Sequence, residues 1–318
     1  MPSLRHRLGA LAYDWPRFLA AMRGRGNWVR FHNRNERLTL DPESGGARCE
    51  WVFASDLHLA NVYPSAGRRL MQRALTEWPI ESASEPRVSG TPRVSFIIGH
   101  RGEARLPLLL ETLGSIAAQR DVPIECIVVE QSLAPRTGLP SWVRHLHTPI
   151  ESDALPYNRS ATLNAGAQAA RAPLIVLHDN DILVPSAYAS ELAKRHDEGH
   201  EFIDLKRFIF YLDARKRLDH VTQNLLAGAS VAADREAYFA IGGFDESFVG
   251  WGGEDNEFWE RAATRATFTF AYLPFVHLWH APQAEKPKAQ AAGGASRYVE
   301  LSRIPPEERI RALRQKRS

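Results

Sequence analysis

The chain has 318 residues, of which 44% are hydrophobic and 24% are charged, and its formal net charge is +3. This composition is ordinary for a globular protein, and so small a net charge excludes a surface that attracts nucleic acid as a whole. Two cysteines exclude a disulfide framework, and no run of about 18 apolar residues could cross a membrane. We therefore expect a cytoplasmic protein with no nucleic-acid partner and either one large domain or a domain with an appendage.

Residues 1–92 are the first region, which we interpret as an N-terminal extension or a small accessory domain. It contains several tryptophans and a helix-like stretch over 67–75, so too much of it is apolar for a disordered segment. Residues 81–92 are rich in Ser, Pro and Gly and predict a linker. The stretch 4–22 has leucines among arginines. It is either a solvated helix packed on the domain or a helix that rests on an anionic membrane surface.

Within the first region, residues 55–59 (Ser-Asp-Leu-His-Leu) are similar to the opening motif of a calcineurin-like metallophosphoesterase. The other motifs of that family, Gly-Asn-His-(Asp/Glu) and Gly-His-x-His, do not occur in the sequence. We therefore interpret Asp56 and His58 as part of a turn or as a local hydrogen-bonded pair.

Residues 93–283 predict an alternation of strands and helices. Apolar runs predict strands over 94–98, 123–129 and 174–177, and helical spacing predicts helices over 103–119 and 161–170. Such alternation indicates a mostly parallel, Rossmann-like α/β sheet with flanking helices, which binds ligands at the carboxyl ends of its strands. Polar groups follow three of these strands: Gly99-His100-Arg101, Glu130 and Asp179-Asn180-Asp181.

Asp179 and Asp181 stand one residue apart after a buried apolar run. Carboxylates in this position hold a hard divalent cation or form an Asx turn between two strands. The pair alone leaves both interpretations open.

Residues 250–253 (Gly-Trp-Gly-Gly) predict a backbone that bends sharply and approaches a ligand closely. Glu254 and Asp255 follow at the start of a helix with apolar periodicity. Acidic residues are favourable in a first helical turn, but a helix start does not require three glycines and a tryptophan before it. The motif therefore indicates a binding site.

His277 and His280 follow another apolar run. An isolated pair of histidines is typical of a surface or a core with ordinary partners, whereas imidazole is also a good ligand for borderline transition metals. The combination with the carboxylates favours the metal interpretation.

In this order the motifs resemble those of the GT-A glycosyltransferases, and within them the beta-1,4-galactosyltransferase group and its bacterial family 2-like relatives. The resemblance spans roughly residues 93 to 283. The six motifs that carry it are Gly99-His100-Arg101, residues 157–166, Asp179-Asn180-Asp181, Gly242-Gly243-Phe244, residues 250–255 and His277-x-x-His280.

The resemblance implies a GT-A fold and metal-dependent, inverting transfer of a hexose from a UDP-sugar to a hydroxyl of a glycan, a lipid-linked molecule or a small molecule. It implies that Asp181, His280 and His277 bind Mn²⁺ or Mg²⁺. Asp255 would then be the general base, with Glu254 holding sugar hydroxyls. The expected donor contacts are Gly99, His100, Arg101, Glu130, Asn158, Arg159, Asp179, Asn180, Trp251, Gly252, Gly253 and Leu226.

Leu226 corresponds to a family position that limits the 2-substituent of the sugar, and leucine leaves room for an N-acetyl group. We therefore expect either Gal or GalNAc as the donor sugar. Two other functions stay open: a nucleotidyltransferase with a related sheet, and a non-catalytic protein that binds sugar nucleotides. Residues 284–318 predict a basic C-terminal tail. The basic termini would allow peripheral contact with the inner face of a membrane.

Overall fold

The computed structural model describes residues 3–51, 59–135, 138–223, 228–249, 252–281 and 294–317. The α-helices are α1 (Leu4–Ala21), α2 (Leu59–Val62), α3 (Pro64–Glu77), α4 (Leu106–Ala117), α5 (Arg159–Ala169), α6 (Tyr188–Asp197), α7 (Arg235–Ala240), α8 (Glu254–Ala262), α9 (Gly294–Leu301) and α10 (Pro306–Arg317). Short 3₁₀ helices cover Asn27–Arg30 and Glu103–Arg105.

The strands are β1 (Glu36–Leu40), β2 (Ala47–Trp51), β3 (Val94–His100), β4 (Ile124–Ser132), β5 (Val143–Pro149), β6 (Leu174–His178), β7 (Ile182–Leu183), β8 (Phe202–Ile203), β9 (Lys206–Leu212), β10 (Leu218–Gln223), β11 (Ser230–Asp234), β12 (Thr267–Phe268) and β13 (Leu273–His277). β1 and β2 pair as an antiparallel hairpin.

The main sheet has the strand order β12-β8-β11-β6-β3-β4-β5. β6, β3, β4 and β5 are parallel, whereas β11 is antiparallel to both of its neighbours. Val94 lies opposite both Ile124 and Leu174, so β3, β4 and β6 run side by side and end at the same edge. The predicted mostly parallel α/β sheet is confirmed.

A second sheet has the order β10-β9-β13-β7. Three residues separate the end of β6 from the start of β7. β13 pairs with β7 and with β9. The short segment between β6 and β7 therefore connects the two sheets and brings the end of β13 next to the end of β6.

The main sheet is buried on both faces, which explains the continuous apolar runs in its sequence. Ile97 packs with α5, α7 and α8, whereas its neighbour Ile98 packs with α3, α4, α6 and the second sheet. Successive strand residues point to opposite faces, so each apolar run supplies both layers.

The leading region packs into the same core as the second sheet. Trp28 and Phe31 are fully buried, and their rings lie 6.0 and 6.5 Å from the ring of Phe208 on β9. Residues 81–92, the predicted linker, form neither helix nor strand. They run along α4, where the Ala83 amide donates to the Gly114 carbonyl at 3.0 Å.

The C-terminal segment, predicted as a basic tail, contains two helices packed against α8. Arg309 on α10 is 4% exposed and donates to Glu257 at 3.2 Å and to Glu260 at 2.6 Å. The Tyr298 hydroxyl on α9 donates to Glu260 at 2.6 Å. Among the helices that the structure describes, none combines the length and the apolar character needed to cross a membrane.

Candidate active site

Residues 179–181 connect β6 of the main sheet to β7 of the second sheet. The Asp179 amide donates to the Ala229 carbonyl at 2.9 Å, and the Ala229 amide donates to the Asp179 carboxylate at 3.0 Å. The Leu278 amide donates to the Asp181 carbonyl at 2.8 Å, because β13 pairs with β7. Asp181 therefore lies beside the end of β13, where His277 is the last strand residue.

Asp181, His277 and His280 form a cluster that is able to hold a metal ion. The Nε2 atoms of His277 and His280 lie 3.8 and 3.5 Å from the two carboxylate oxygens of Asp181. One ligand atom from each of the three residues lies within 4.8 Å of the others. One carboxylate and two imidazoles fit a divalent cation, so the three predicted ligands come together.

The ring of His277 is held in place by Tyr211 on β9. The two rings are stacked with centroids 4.5 Å apart. The ring of His220 on β10 also stacks with Tyr211, with centroids 4.3 Å apart. Burial lowers the pKa of His277, and the Asp181 carboxylate opposes this effect only in part. His277 is therefore neutral at pH 7, as a metal ligand must be.

Arg105, at the start of α4, is a site residue that sequence analysis missed. Its Nη1 donates to Oδ2 of Asp181 at 2.6 Å, and both side chains are largely buried. An arginine in the first turn of a predicted helix has no sequence pattern that would distinguish it from a surface residue. The guanidinium occupies the carboxylate oxygen that faces His280, so a cation at this cluster would compete with Arg105 for Asp181.

Arg159, the first residue of α5, joins two carboxylates. Its Nε and Nη2 donate to Oδ1 of Asp179 at 3.0 and 2.8 Å, and its Nη1 donates to Oδ1 of Asp255 at 3.1 Å. Its guanidinium also lies 5.5 Å from the ring centroid of Phe244. The predicted general base and the first carboxylate after β6 therefore share one arginine.

The carboxyl groups around Arg159 titrate in different ways. Burial would raise the pKa of Asp179, but the guanidinium of Arg159 outweighs burial and holds that pKa below its usual range. Burial raises the pKa of Glu254, and the neighbouring Asp255 raises it further. Asp179 is thus a permanent anion at neutral pH, whereas Glu254 takes up a proton more readily than an ordinary glutamate.

The glycines before α8 have the backbone that the sequence predicted. Gly252 and Gly253 have φ angles of +108° and +89°, where a side chain would be strained. The Gly252 amide donates to Glu254 at 3.0 Å. This turn starts α8 so that Glu254 and Asp255 lie in its first turn, facing Arg159.

Gly228 is a second site residue that sequence analysis did not identify. A Cβ atom at this position would lie 2.7 Å from Oδ2 of Asp255 and 3.6 Å from Oδ2 of Asp179. A glycine here avoids a close contact with Oδ2 of Asp255. No sequence pattern distinguished it from other loop glycines.

A cleft of about 790 Å³ lies beside the carboxyl ends of β3 and β4. Arg101 borders it and donates to the Leu155 and Asp153 carbonyls at 2.6 and 2.8 Å. Glu130 also borders it and contacts Nε2 of His145 at 2.9 Å. The lining residues are Arg101, Gly102, Glu103, Leu106, Glu130, Ser132, Leu133, Ala134, Pro135 and Asp153.

Four other predicted donor contacts, Gly99, His100, Asn158 and Asn180, contact other residues of the site. His100 is 1% exposed and its Nδ1 lies 3.1 Å from the Asn180 amide nitrogen. Asn158 caps the N-terminus of α5 with its side-chain oxygen and so orients Arg159. Gly99 packs against Tyr157, where a Cβ atom would collide with the hydroxyl.

Leu226 and Trp251, two of the predicted donor contacts, lie outside the described residues. The same holds for Gly250 and for Asp56 and His58 of the phosphoesterase-like motif. The described part of the site therefore consists of the Asp181 cluster, the Arg159 bridge, the glycine turn and the cleft.

Comparison with known proteins adds independent support. Residues 95–244 match the family model described as glycosyl transferase family 2, and residues 219–278 match the model described as N-terminal domain of galactosyltransferase. A probable N-acetylgalactosaminyltransferase 9 of Caenorhabditis elegans is 35% identical over 72 residues, which are 23% of this chain and 12% of that protein.

A solved mannosyltransferase from Pyrobaculum calidifontis, in complex with GDP-Man and Mn²⁺, is also similar to this chain. The TM-score is 0.44 and the sequence identity is 19%, over 74% of this chain and 71% of that one.

The two family models together span 95–278, the segment that carries Asp181, His277, the Arg159 bridge and the residues that line the cleft. His280 lies two residues beyond the matched segment. Residues 95–278 therefore match domain models of glycosyltransferases, and the mostly parallel sheet agrees with the predicted GT-A fold. These matches support the predicted family and the predicted enzyme class.

Proposed function

We propose that the enzyme is a metal-dependent, inverting glycosyltransferase that moves Gal or GalNAc from a UDP-sugar to an acceptor hydroxyl. One observation carries the proposal. Asp181, which forms a cluster with its two histidines, lies two residues from Asp179 at the edge of the sheet. Arg159 bonds Asp179 to Asp255 and so links the metal-binding cluster to the proposed base. A cation-binding group and a proton acceptor close to each other are the two requirements of this reaction.

Asp181, His277 and His280 would hold the divalent cation. When bound, the cation supplies positive charge to the diphosphate that leaves the sugar. Two nitrogen ligands favour Mn²⁺ over Mg²⁺, because Mg²⁺ prefers oxygen ligands.

Asp255 would take the proton of the acceptor hydroxyl. Its Oδ1 is bonded to Arg159 at 3.1 Å, which stabilises the anion, and its Oδ2 points toward Gly228. As the acceptor oxygen forms its bond to the anomeric carbon, the bond from that carbon to the diphosphate breaks and the proton moves to Asp255. Attack opposite the leaving group inverts the anomeric configuration.

Glu254 would contact sugar hydroxyls. Burial and the neighbouring Asp255 raise the pKa of Glu254, and its carboxylate would accept hydrogen bonds from the sugar hydroxyls. Glu130 would accept the N3–H of uracil in the cleft beside β4.

Support for the sugar comes from two sources. The family resemblance assigns Leu226 to the position that limits the sugar's 2-substituent, where a leucine would leave room for an acetamido group. A short segment of the chain also resembles a protein named as a probable N-acetylgalactosaminyltransferase. The acceptor would be a glycan, a lipid-linked molecule or a small molecule, and the compartment would be the cytoplasm.

The test is a screen of UDP-sugars with Mn²⁺, on the wild type and on Asp255→Asn, with UDP release as the readout so that no acceptor is needed. We expect turnover of UDP-Gal or UDP-GalNAc by the wild type and a loss of about 10²–10⁴-fold in the variant. Calorimetry should show that UDP and Mn²⁺ still bind. Asp197→Asn, at an exposed carboxylate, is the matched control.

Each outcome separates the proposed function from its rivals. Full activity of Asp255→Asn would remove this residue from the mechanism. UDP binding without turnover of any UDP-sugar by the wild type would favour the non-catalytic protein. Formation of a UDP-sugar from UTP and a sugar phosphate would favour a nucleotidyltransferase. Calorimetry on His280→Ala should show weaker Mn²⁺ binding by about tenfold or more, and unchanged binding would exclude this cluster as the metal site.

A further inference from the structure

Helix α1 exposes an apolar stripe. The helix buries one face against the core through Ala10, Asp14, Phe18 and Ala21. A neighbouring face carries leucines at positions 4, 8, 11 and 19, a spacing that lines up side chains along one side of a helix. These leucines are 72%, 57%, 37% and 38% exposed in that order: Leu4, Leu8, Leu11 and Leu19.

The surface around this stripe carries charge of one sign. In residues 3–40 every arginine is exposed, whereas the two acidic residues, Asp14 and Glu36, are 2% and 6% exposed. The exposed arginines are Arg5, Arg7, Arg17, Arg23, Arg25, Arg30, Arg34 and Arg37.

The described neighbours leave most of this charge unneutralised. Arg7 and Arg34 lie over the rings of Tyr63 and Tyr13, at 5.5 and 5.0 Å from the centroids, and these contacts do not cancel a charge. The carboxylate of Glu77 approaches the segment but pairs with Arg73 at 2.7 Å. Arg17 lies 3.9 Å from the buried Asp14 carboxylate. Residues 4–37 therefore combine an exposed leucine stripe on α1 with exposed arginines that give the segment a net positive charge.

We propose that α1 binds the surface of a membrane that contains anionic lipids. The leucine stripe would enter the boundary between head groups and acyl chains, and the surrounding arginines would contact lipid phosphates. A second copy of the chain fits this surface poorly, because two such cationic surfaces repel each other. The proposal concerns a surface away from the catalytic cleft and does not depend on the donor sugar or the metal.

The test uses the full chain and sedimentation with vesicles. One vesicle is pure phosphatidylcholine, and the other contains phosphatidylcholine and phosphatidylglycerol in equal amounts. We expect binding to the anionic vesicle only, weakened by salt because screening reduces the attraction. A variant with Leu4→Ser, Leu8→Ser and Leu11→Ser should bind at least about tenfold more weakly.

A matched control replaces exposed apolar residues elsewhere: Leu110→Ser and Val299→Ser, which are 41% and 51% exposed. This control should bind like the wild type. The melting temperature of both variants should equal that of the wild type, because the replaced side chains are exposed. A second variant, with Arg5→Gln, Arg23→Gln and Arg25→Gln, should lose the preference for the anionic vesicle.

Several results would overturn the proposal. Equal vesicle binding by the wild type and the leucine variant would show that the stripe is not used. Failure of the wild type to bind either vesicle would exclude a lipid surface. Light scattering that shows a wild-type dimer and a monomeric leucine variant, without vesicle binding, would identify the stripe as an interface between copies.

Discussion

Two arginines lie near carboxylates whose pKa values shift in opposite directions: the largely buried Arg159 in the candidate site and the fully buried Arg207 under the leading region. Arg159 bonds directly to Asp179 and Asp255, and the pKa of Asp179 lies below its usual range. Near Arg207, burial raises the pKa of Glu36 to about 7, although the guanidinium opposes it. The Asp179 side chain is 34% exposed and Glu36 is 6% exposed, so a difference in burial accounts for part of this contrast.

The two guanidinium groups also differ in their hydrogen-bond acceptors. Arg207 donates to the backbone carbonyls of Val29 and Phe31 at 2.6 and 2.5 Å, whereas Glu36 accepts from the weak Cys49 thiol donor at 3.3 Å. A direct, charge-assisted bond outweighs the cost of burial, and an unbonded charge nearby does not. The bond to Arg159 thus keeps Asp179 charged, whereas the surroundings of Glu36 favour a neutral acid.

Replacing Arg159 should give the largest effect on this contrast. Arg159→Met leaves Asp179 and Asp255 without their shared cation, so one of them would take up a proton or turn away. We expect UDP-sugar turnover to fall by roughly 10²–10³-fold, the usual cost of losing one preorganised charged donor. The measurement is UDP release at saturating donor, with the melting temperature as a check of folding.

Arg159→Lys is the matched control, because a lysine keeps the charge but does not bridge two carboxylates as a guanidinium does. Its turnover should lie between those of the wild type and Arg159→Met. Wild-type turnover in Arg159→Met would show that the bridge is not needed.

Removing the charge of Glu36 tests the other side of the contrast. The pKa of Glu36 is about 7 in the folded protein and 4.5 in the unfolded chain, so protonation of Glu36 favours the folded state. This contribution is complete below pH 4.5 and is lost as the pH rises through 7, by at most about 3 kcal/mol in the free energy of unfolding. Glu36→Gln should remove this loss, so the variant gains stability relative to the wild type between pH 5 and 8.

Urea denaturation at several pH values measures the effect. Glu43→Gln, at an exposed position, should follow the wild-type pH profile. Parallel profiles for the wild type and Glu36→Gln would contradict the raised pKa.

Arg105 and Asp181 form a third arginine–carboxylate pair. Of the three replacements, that of Arg105 should have the smallest effect, which is a change in the affinity for Mn²⁺. Its bond to Asp181 at 2.6 Å must be shared or broken when a cation binds. Arg105→Gln should therefore bind Mn²⁺ about tenfold more tightly in the absence of donor, because no guanidinium has to be displaced. Calorimetry with Arg101→Gln as the control tests this, and unchanged affinity in Arg105→Gln would show that the pair does not compete.

Most of the fold was predictable because its signals are local. The buried strands are apolar runs of the right length, and the strand ends carry polar groups, so the predicted 94–98 and 174–177 correspond to the observed β3 and β6. The second sheet was not predicted, since β7 has two residues and β13 pairs with strands far away in sequence. Short strands defined by distant partners leave no periodic pattern.

The site was predictable where residue type and motif order carry the chemistry, as for Asp181, His277 and His280. Arg105 and Gly228 were missed, because their roles arise from tertiary contacts at 2.6 and 2.7 Å that no local pattern encodes. Asn158 was expected to touch the donor, and the structure shows in addition that its side chain caps α5. A polar residue next to a helix start is ambiguous in the sequence because a cap and a ligand contact use the same side chains.

The packing of α10 on α8 has a practical consequence for work with the protein. Glu257 is 1% exposed and pairs with two arginines, Arg261 on its own helix and Arg309 on α10. Leu313 on α10 fills the space beside Gly242. A truncation after residue 281 would leave a buried carboxylate with one cation fewer on the helix whose first turn carries Asp255. Shortened versions made for crystallisation should therefore keep residues up to 317, and an affinity tag is better placed elsewhere than on this helix.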